Sequence, residues 1–263
     1  KLLRQLIGEC GRETIDRHFQ GSDIQVETLE QFPQRRLGIS GCPAIDIQAA
    51  CSGFIYALDL ARRQIETGGA TTALVIGSET LSKVTNWEDR ATAVLFGDGA
   101  GAAVVEAVDD GERGVVDCLL HTNGDEAERL LTKAGGSAFR PYFHPDMFHS
   151  GDYVPVVEGR KVYALAVTFM PKVTFEILER NGLTIDDLDL VIMHQANLRI
   201  NEGVQKRLGL PDDKVFNNIQ KYGNTTAGTI PIAYHEARQQ GRIKPGDLLC
   251  FVGLGSGLNW GAV

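Results

Sequence analysis

Several things are scarce in this 263-residue sequence. It has 5 cysteines, 3 methionines, 2 tryptophans and 7% aromatic residues. Cys10, Cys42, Cys51, Cys118 and Cys250 are odd in number and show no regular spacing. A disulfide-stapled secreted scaffold is therefore excluded, and the pattern points to a reducing cytoplasm. No CxxC or CxxH pair is present, and His144, His149, Asp146 and Asp152 fit no standard metal spacing, so no metal is expected. Basic charge is also in deficit, with a net charge of −8 and a pI near 5.3. A nucleic-acid binder needs a dominant basic face, so that class is set aside. No run of about 18 apolar residues occurs, so no membrane span is expected. The opening segment, residues 1–19, reads as an amphipathic helix and not a signal peptide, because Glu9, Cys10 and Arg12 interrupt any apolar stretch.

What remains is ordinary globular composition, 43% apolar and 23% charged, with 30 glycines. After a weakly patterned stretch, Gln20 to Gln34, residues 42–50 read as a buried strand. Residues 51–65 then read as a helix stopped by Gly68-Gly69. A fully apolar strand is expected over 71–78. A glycine-rich turn and a second strand are expected within 94–108, and another strand over 114–121. A long polar and aromatic segment covers 122–158. Helices follow at 161–180 (with Pro171 as a kink), 197–208 and 225–240, and strands at 188–193 and 247–252. Strands that are apolar on both faces and alternate with helices indicate an α/β fold with a covered central sheet. A faint internal echo, loop–helix–glycine–strand, places Cys51 and Asn224 at equivalent helix starts.

Three residues stand out chemically. Cys51 lies where a strand is expected to turn into a helix, between Ala50 and Ser52-Gly53. Small neighbours admit a substrate, and a helix N-terminus favours thiolate, although a lone cysteine is more often a small core residue. His194 ends the apolar run LDLVIMH, where α/β folds bind ligands. Asn224 precedes a helix and by itself would be an ordinary N-cap. Backbone N–H groups of Cys51 and of the closing Gly-Leu-Gly-Ser-Gly run are candidates for an oxyanion hole. Gly97-Asp-Gly-Ala-Gly-Ala is followed by a strand and not a helix, which rejects a dinucleotide-binding loop.

The motifs DIQAACSGFIYAL, GDGAGAAVVE, MHQANLRI, KYGNTTAGTIPIA, GRIKPGD and GSGLNWG occur in this order. With them, the chain resembles the β-ketoacyl-acyl-carrier-protein synthase III family of thiolase-like condensing enzymes over residues 36–106 and 185–263. The resemblance implies two similar βα halves, 1–109 with the nucleophile and 110–263 with His and Asn, in an α-β-α-β-α arrangement. It implies that Cys51 accepts an acyl group from acyl-CoA. His194 and Asn224 then hold the enolate formed by decarboxylation of malonyl-acyl carrier protein. By the same resemblance Arg90 lies near CoA, and Arg199, Lys206 and Arg207 form a docking patch for the acidic carrier. The implied enzyme is a cytoplasmic homodimer that uses CoA thioesters as substrates and needs no cofactor. An acyltransferase of secondary metabolism, with longer acyl-CoAs or a non-malonyl acceptor, is the alternative within the fold. A non-catalytic partner subunit is the alternative of another class, against which the intact Cys51 argues. The family's opening strand–helix–strand unit is mostly absent before Phe32, so the first half is expected to be incomplete, and residues 1–34 have no assigned counterpart. The family glycine at the oxyanion position is Ser256 here.

Overall fold

The computed structural model describes residues 31–108, 113–133, 144 and 146–263. The first expected helix, residues 1–19, lies outside these. The chain divides into two compact units, residues 1–48 and 49–263. In the first, a short helix α1 (Gln31–Leu37) is followed by a turn and irregular chain without strand pairing. The strand expected over 42–50 is not formed. Residues 41–46 are exposed, and among the described residues no strand pairs with them. Apolar sequence makes a strand only when a neighbour accepts its backbone hydrogen bonds.

The second unit begins with a 3₁₀ turn, Ala50–Ser52, that runs into helix α2 (Gly53–Glu66). Strands β1 (Thr72–Thr80) and β2 (Asp98–Glu106) pair antiparallel along their whole length. Next come β3 (Leu119–Thr122), a two-stranded ribbon of β4 (Leu130–Leu131) and β5 (Val156–Val157) with α3 (Asp146–Ser150) between them, and the long helix α4 (Gly159–Arg180). The rest is β6 (Leu190–Met193), α5 (Leu198–Leu208), β7 (Val215–Phe216), α6 (Ile219–Tyr222), α7 (Thr229–Gln239), β8 (Leu249–Gly255) and β9 (Asn259–Ala262). Five of these strands form one mixed sheet in the order β3-β9-β8-β6-β7, with β6 parallel to both β7 and β8.

The covered central sheet follows from β6, whose four residues are all buried. Val191 and Met193 pack into one core with Val167, Met170 and Val173 of α4 and Val204 of α5. Leu190 and Ile192 face the opposite core, with Phe54, Ile55 and Leu58 of α2 and Ile230 and Ala233 of α7. Val75 of β1 belongs to that second core, so α2 and α7 are sandwiched between the two sheets. On the outer face of the β1–β2 pair, Ile76 and Val104 remain exposed. Four layers, α-β-α-β, are therefore present among the described residues. Helix α4 continues through Pro171, and α5 starts on Asn197, whose Oδ1 accepts the Arg199 N–H at 2.9 Å. Among the described residues no helix is long and apolar enough to cross a membrane.

The glycine run 97–101 is not a turn. Gly99 and Gly101 lie inside β2, and they are small because α7 packs directly on them. A Cβ on Gly101 would lie 2.8 Å from the Pro231 Cβ, and one on Gly99 3.0 Å from the Ile232 Cδ1. On β1, a Cβ on Gly77 would lie 2.2 Å from the Ala227 carbonyl oxygen. Backbone cannot move aside as a side-chain tip can, so Gly77→Ala should destabilise the fold by about 3 kcal/mol. Gly124→Ala, with open space around it, should change stability by less than about 0.5 kcal/mol. Urea denaturation of the two variants checks the contrast.

Candidate active site

Cys51 is the middle residue of the 3₁₀ turn that opens α2 and is only 7% exposed. The residue before it, Ala50, has φ +46°. A non-glycine residue in that region costs on the order of 1–2 kcal/mol and persists only where surrounding packing imposes it. A matching turn, Thr226–Gly228, opens α7, and its first residue, Thr226, has φ +42°. The two turns pack against each other, and a Cβ on Gly53 would sit 3.5 Å from the Ala227 Cβ. Aligning the two strained residues makes Ala227, and not Asn224, the counterpart of Cys51. Asn224 lies three positions earlier, in the loop that bridges to Phe96. The repeat is real in shape, but chemistry sits at different steps of it.

Cys51 and His194 meet over the same face of strand β8. A Cβ on Gly253 would be 3.3 Å from the His194 Cβ and 3.8 Å from the Cys51 carbonyl oxygen. Two residues on, a Cβ on Gly255 would be 2.8 Å from the Cys51 nitrogen. The backbone lying against the Cys51 amide is thus that of Gly255. Ser256, the expected oxyanion residue, directs its hydroxyl to the Leu130 carbonyl oxygen at 2.5 Å, and its own carbonyl accepts from Asn259 Nδ2 at 2.7 Å.

His194 follows β6 directly and is almost fully buried, and its backbone N–H donates to the Val252 oxygen at 2.8 Å. Its Nδ1 lies 2.7 Å from Thr229 Oγ1, which in turn lies 2.9 Å from the Thr226 carbonyl oxygen. Nε2 is buried and has no hydrogen-bond partner among the described residues. Asn224 is also buried, and its Oδ1 accepts the Thr226 N–H at 2.8 Å. That bond commits the oxygen and leaves the amide nitrogen as the donor. Thr229 escaped the sequence reading because a threonine at a helix start looks like local capping. Gly255 escaped it because one glycine among several in a closing run gives no sign of which approaches the nucleophile.

Burial governs the electrostatics. It pushes the Cys51 thiol up to about 12, and the nearby Glu79 carboxylate adds to the rise. The expectation that the helix start favours thiolate is therefore overturned. A helix end contributes about 0.3–1 kcal/mol, less than taking a thiolate out of water costs. Burial likewise lowers His194 to about 3, so its imidazole is neutral near pH 7. Glu79 projects from the inner face of β1, and its carboxyl is raised by burial. It carried no signal in the sequence, where it is one acid among 34.

The remaining expected residues lie on the surface. Arg90 is exposed in the segment between β1 and β2. Arg199, Lys206 and Arg207 are exposed on α5, and Arg207 Nη1 donates to Thr168 Oγ1 at 3.2 Å. His144 Nδ1 lies 3.1 Å from Asp146 Oδ2, the His149 side chain lies outside the described residues, and no metal-holding cluster occurs among the described residues.

A family model described as 3-oxoacyl-[acyl-carrier-protein] synthase III matches residues 45–124, and the model of its C-terminal part matches 178–263. A β-ketoacyl-[acyl-carrier-protein] synthase III from Caldanaerobacter subterraneus is 47% identical over 238 residues, 90% of this chain and 71% of that protein. The crystal structure of 3-oxoacyl-[acyl-carrier-protein] synthase III from Aquifex aeolicus superposes with a TM-score of 0.81 at 42% identity. It covers 90% of this chain and 71% of its own. The priming β-ketosynthase of the R1128 polyketide pathway superposes equally well, TM-score 0.81, at 31% identity over 91% of this chain and 70% of its own.

A raised thiol predicts slow alkylation of Cys51 by iodoacetamide through neutral pH, with the rate rising only in the alkaline range. Glu79→Gln removes a negative charge that disfavours thiolate, so the thiol pKa falls. At pH 8 alkylation should then speed up severalfold, up to about tenfold for a one-unit shift. Peptide mass spectrometry of timed samples reads both rates.

Proposed function

Because this chain belongs to the 3-oxoacyl-[acyl-carrier-protein] synthase III family, we propose that it condenses an acyl-CoA primer with malonyl-acyl carrier protein, the initiating step of fatty-acid synthesis. The observation that carries this reading is the meeting of His194 and the Cys51 turn over one face of Gly253, where a single Cβ would touch both. In the first half-reaction the Cys51 sulfur attacks the acyl-CoA carbonyl. Its proton departs with the CoA thiol, and the acyl group stays on sulfur. Backbone N–H groups of Cys51 and Ser256 are our candidates for the tetrahedral oxyanion. In the second half-reaction the malonyl thioester loses CO₂. The resulting enolate oxygen is held by His194 Nε2 and Asn224 Nδ2, and its carbon attacks the acyl thioester. Cys51 leaves as thiolate and regains a proton.

The burial of Cys51, His194 and Asn224 supports this assignment. A neutral imidazole and an amide donate to a developing oxyanion without the reorganisation that water would need. The scheme requires no metal or prosthetic group, and its substrates suit the cytoplasm. In this reading the chain divides into halves at 109/110. Supporting that division, the β1–β2 pair lies within the first half and the five-stranded sheet within the second. Arg90 is our candidate for CoA contact. Arg199, Lys206 and Arg207 offer exposed positive charge, on an otherwise acidic chain, to the acidic carrier. The relatives at 40–47% identity named as β-ketoacyl-[acyl-carrier-protein] synthase III favour this activity over the secondary-metabolite alternative.

The half-reactions are tested apart with labelled acyl-CoA and by malonyl-thioester decarboxylation. Cys51→Ala should give no protein-bound label. His194→Ala and Asn224→Ala should still acylate, and each should lose about a hundredfold or more in condensation, the cost of one oxyanion donor. Loss of Cys51 acylation in His194→Ala, with decarboxylation intact, would show that His194 serves the thiol instead. Arg199→Glu in the same assay should weaken use of the carrier-bound malonyl group and spare acylation.

We also propose a homodimer paired through the edge of the first-half sheet, the β1–β2 pair, on which Ile76 and Val104 are exposed. Sedimentation at micromolar concentration should give twice the chain mass, and a monomer would refute the pairing.

A further inference from the structure

A neutral imidazole carries one ring proton, and the partner of Nδ1 decides whether that proton is on Nδ1 or Nε2. For His194 that partner is the Thr229 hydroxyl, 2.7 Å away in a buried position. The hydroxyl has one proton and two acceptors in reach, Nδ1 and the Thr226 carbonyl oxygen at 2.9 Å. The two acceptors differ in need. The Thr226 oxygen already receives the Thr229 backbone N–H, so it stays partnered without the hydroxyl. Nδ1 has no other donor among the described residues. If the hydroxyl served Thr226, the ring proton would sit on Nδ1, and Nε2 would be a bare acceptor, buried and without a partner.

We propose that Thr229 is a positioning residue that donates its hydroxyl proton to His194 Nδ1 and so holds the ring proton on Nε2. This rests on the enolate-holding role given to His194 above. An enolate oxygen can be stabilised by Nε2–H but is repelled by a bare Nε2 lone pair. The same short turn serves the second donor. The Thr226 N–H fixes Asn224 Oδ1 at 2.8 Å, leaving the amide nitrogen to donate. Both enolate donors are thus set by Thr226–Thr229, one through a backbone N–H and one through a side-chain hydroxyl. Valine has threonine's shape without the hydroxyl, so Thr229→Val removes the donor and keeps the packing, whereas Thr229→Ser keeps the donor.

The test is ¹⁵N NMR of histidine-labelled protein, with the His194 signals assigned by their loss in His194→Ala, run beside the two half-reaction assays. In the wild type, Nε2 should be protonated and Nδ1 should be a hydrogen-bonded bare nitrogen. In Thr229→Val the single tautomer should give way to a mixture. Condensation should fall tenfold or more while Cys51 acylation stays within about threefold, and Thr229→Ser should restore both the tautomer and most of the rate. A proton on Nδ1 in the wild type overturns the proposal. So does a Thr229→Val protein that keeps both the wild-type tautomer and the wild-type condensation rate. If the tautomers behave as stated but His194→Ala condenses normally, the tautomer assignment stands and the enolate role of His194 fails.

Discussion

The site depends on the contact between two short turns, Ala50–Ser52 and Thr226–Gly228, each opening a core helix. Neither turn is comfortable alone, since each holds a non-glycine residue at positive φ. They persist because strands pass close on either side without side chains in the way. Gly77 of β1 lies under the Ala227 carbonyl, and Gly253 and Gly255 of β8 lie along the Cys51 turn. A side chain at Gly77 or Gly255 would run into the backbone of these turns, and one at Gly253 would press on both His194 and the Cys51 turn. The glycines of the strands are thus as much a part of the site as the groups that react.

Close packing also sets the chemistry. Cys51 and His194 are buried, so the thiol rises and the imidazole falls, and both sit as neutral groups near pH 7. A thiolate–imidazolium pair at rest does not fit that environment. Charge has to appear only as bonds form and break, at oxygen atoms facing preorganised donors. Glu79 adds to this by disfavouring a standing thiolate.

Much of this was legible along the chain. The alternation of apolar strands and helices indicated an α/β fold with a covered sheet, and β6 is buried on both faces as that pattern requires. Cys51, His194 and Asn224 each stood beside the end or start of an element, where sheets expose their chemistry. The structure brings the Cys51 turn beside His194 over Gly253, and ties His194 through Thr229 to the turn that follows Asn224. Failures of the reading have a common cause. The segment 42–50 has the composition of a strand but no partner among the described residues. The run at 97–101 has the composition of a turn but is a strand, because α7 needs it small. Propensity describes one segment, whereas pairing and close approach need two.

By itself the sequence determined the α/β class, the main helices and buried strands, and the three reactive residue types, because periodicity and chemical identity are properties of neighbours along the chain. The tertiary structure alone decided which glycine lies against the Cys51 amide and which hydroxyl faces His194 Nδ1. It also decided whether the thiol rests protonated. Each of these depends on groups far apart in sequence, such as Gly255 beside Cys51 and Thr229 beside His194, and on how much water is left between them. Distance and desolvation are set by packing, and packing is not written in any single stretch of residues.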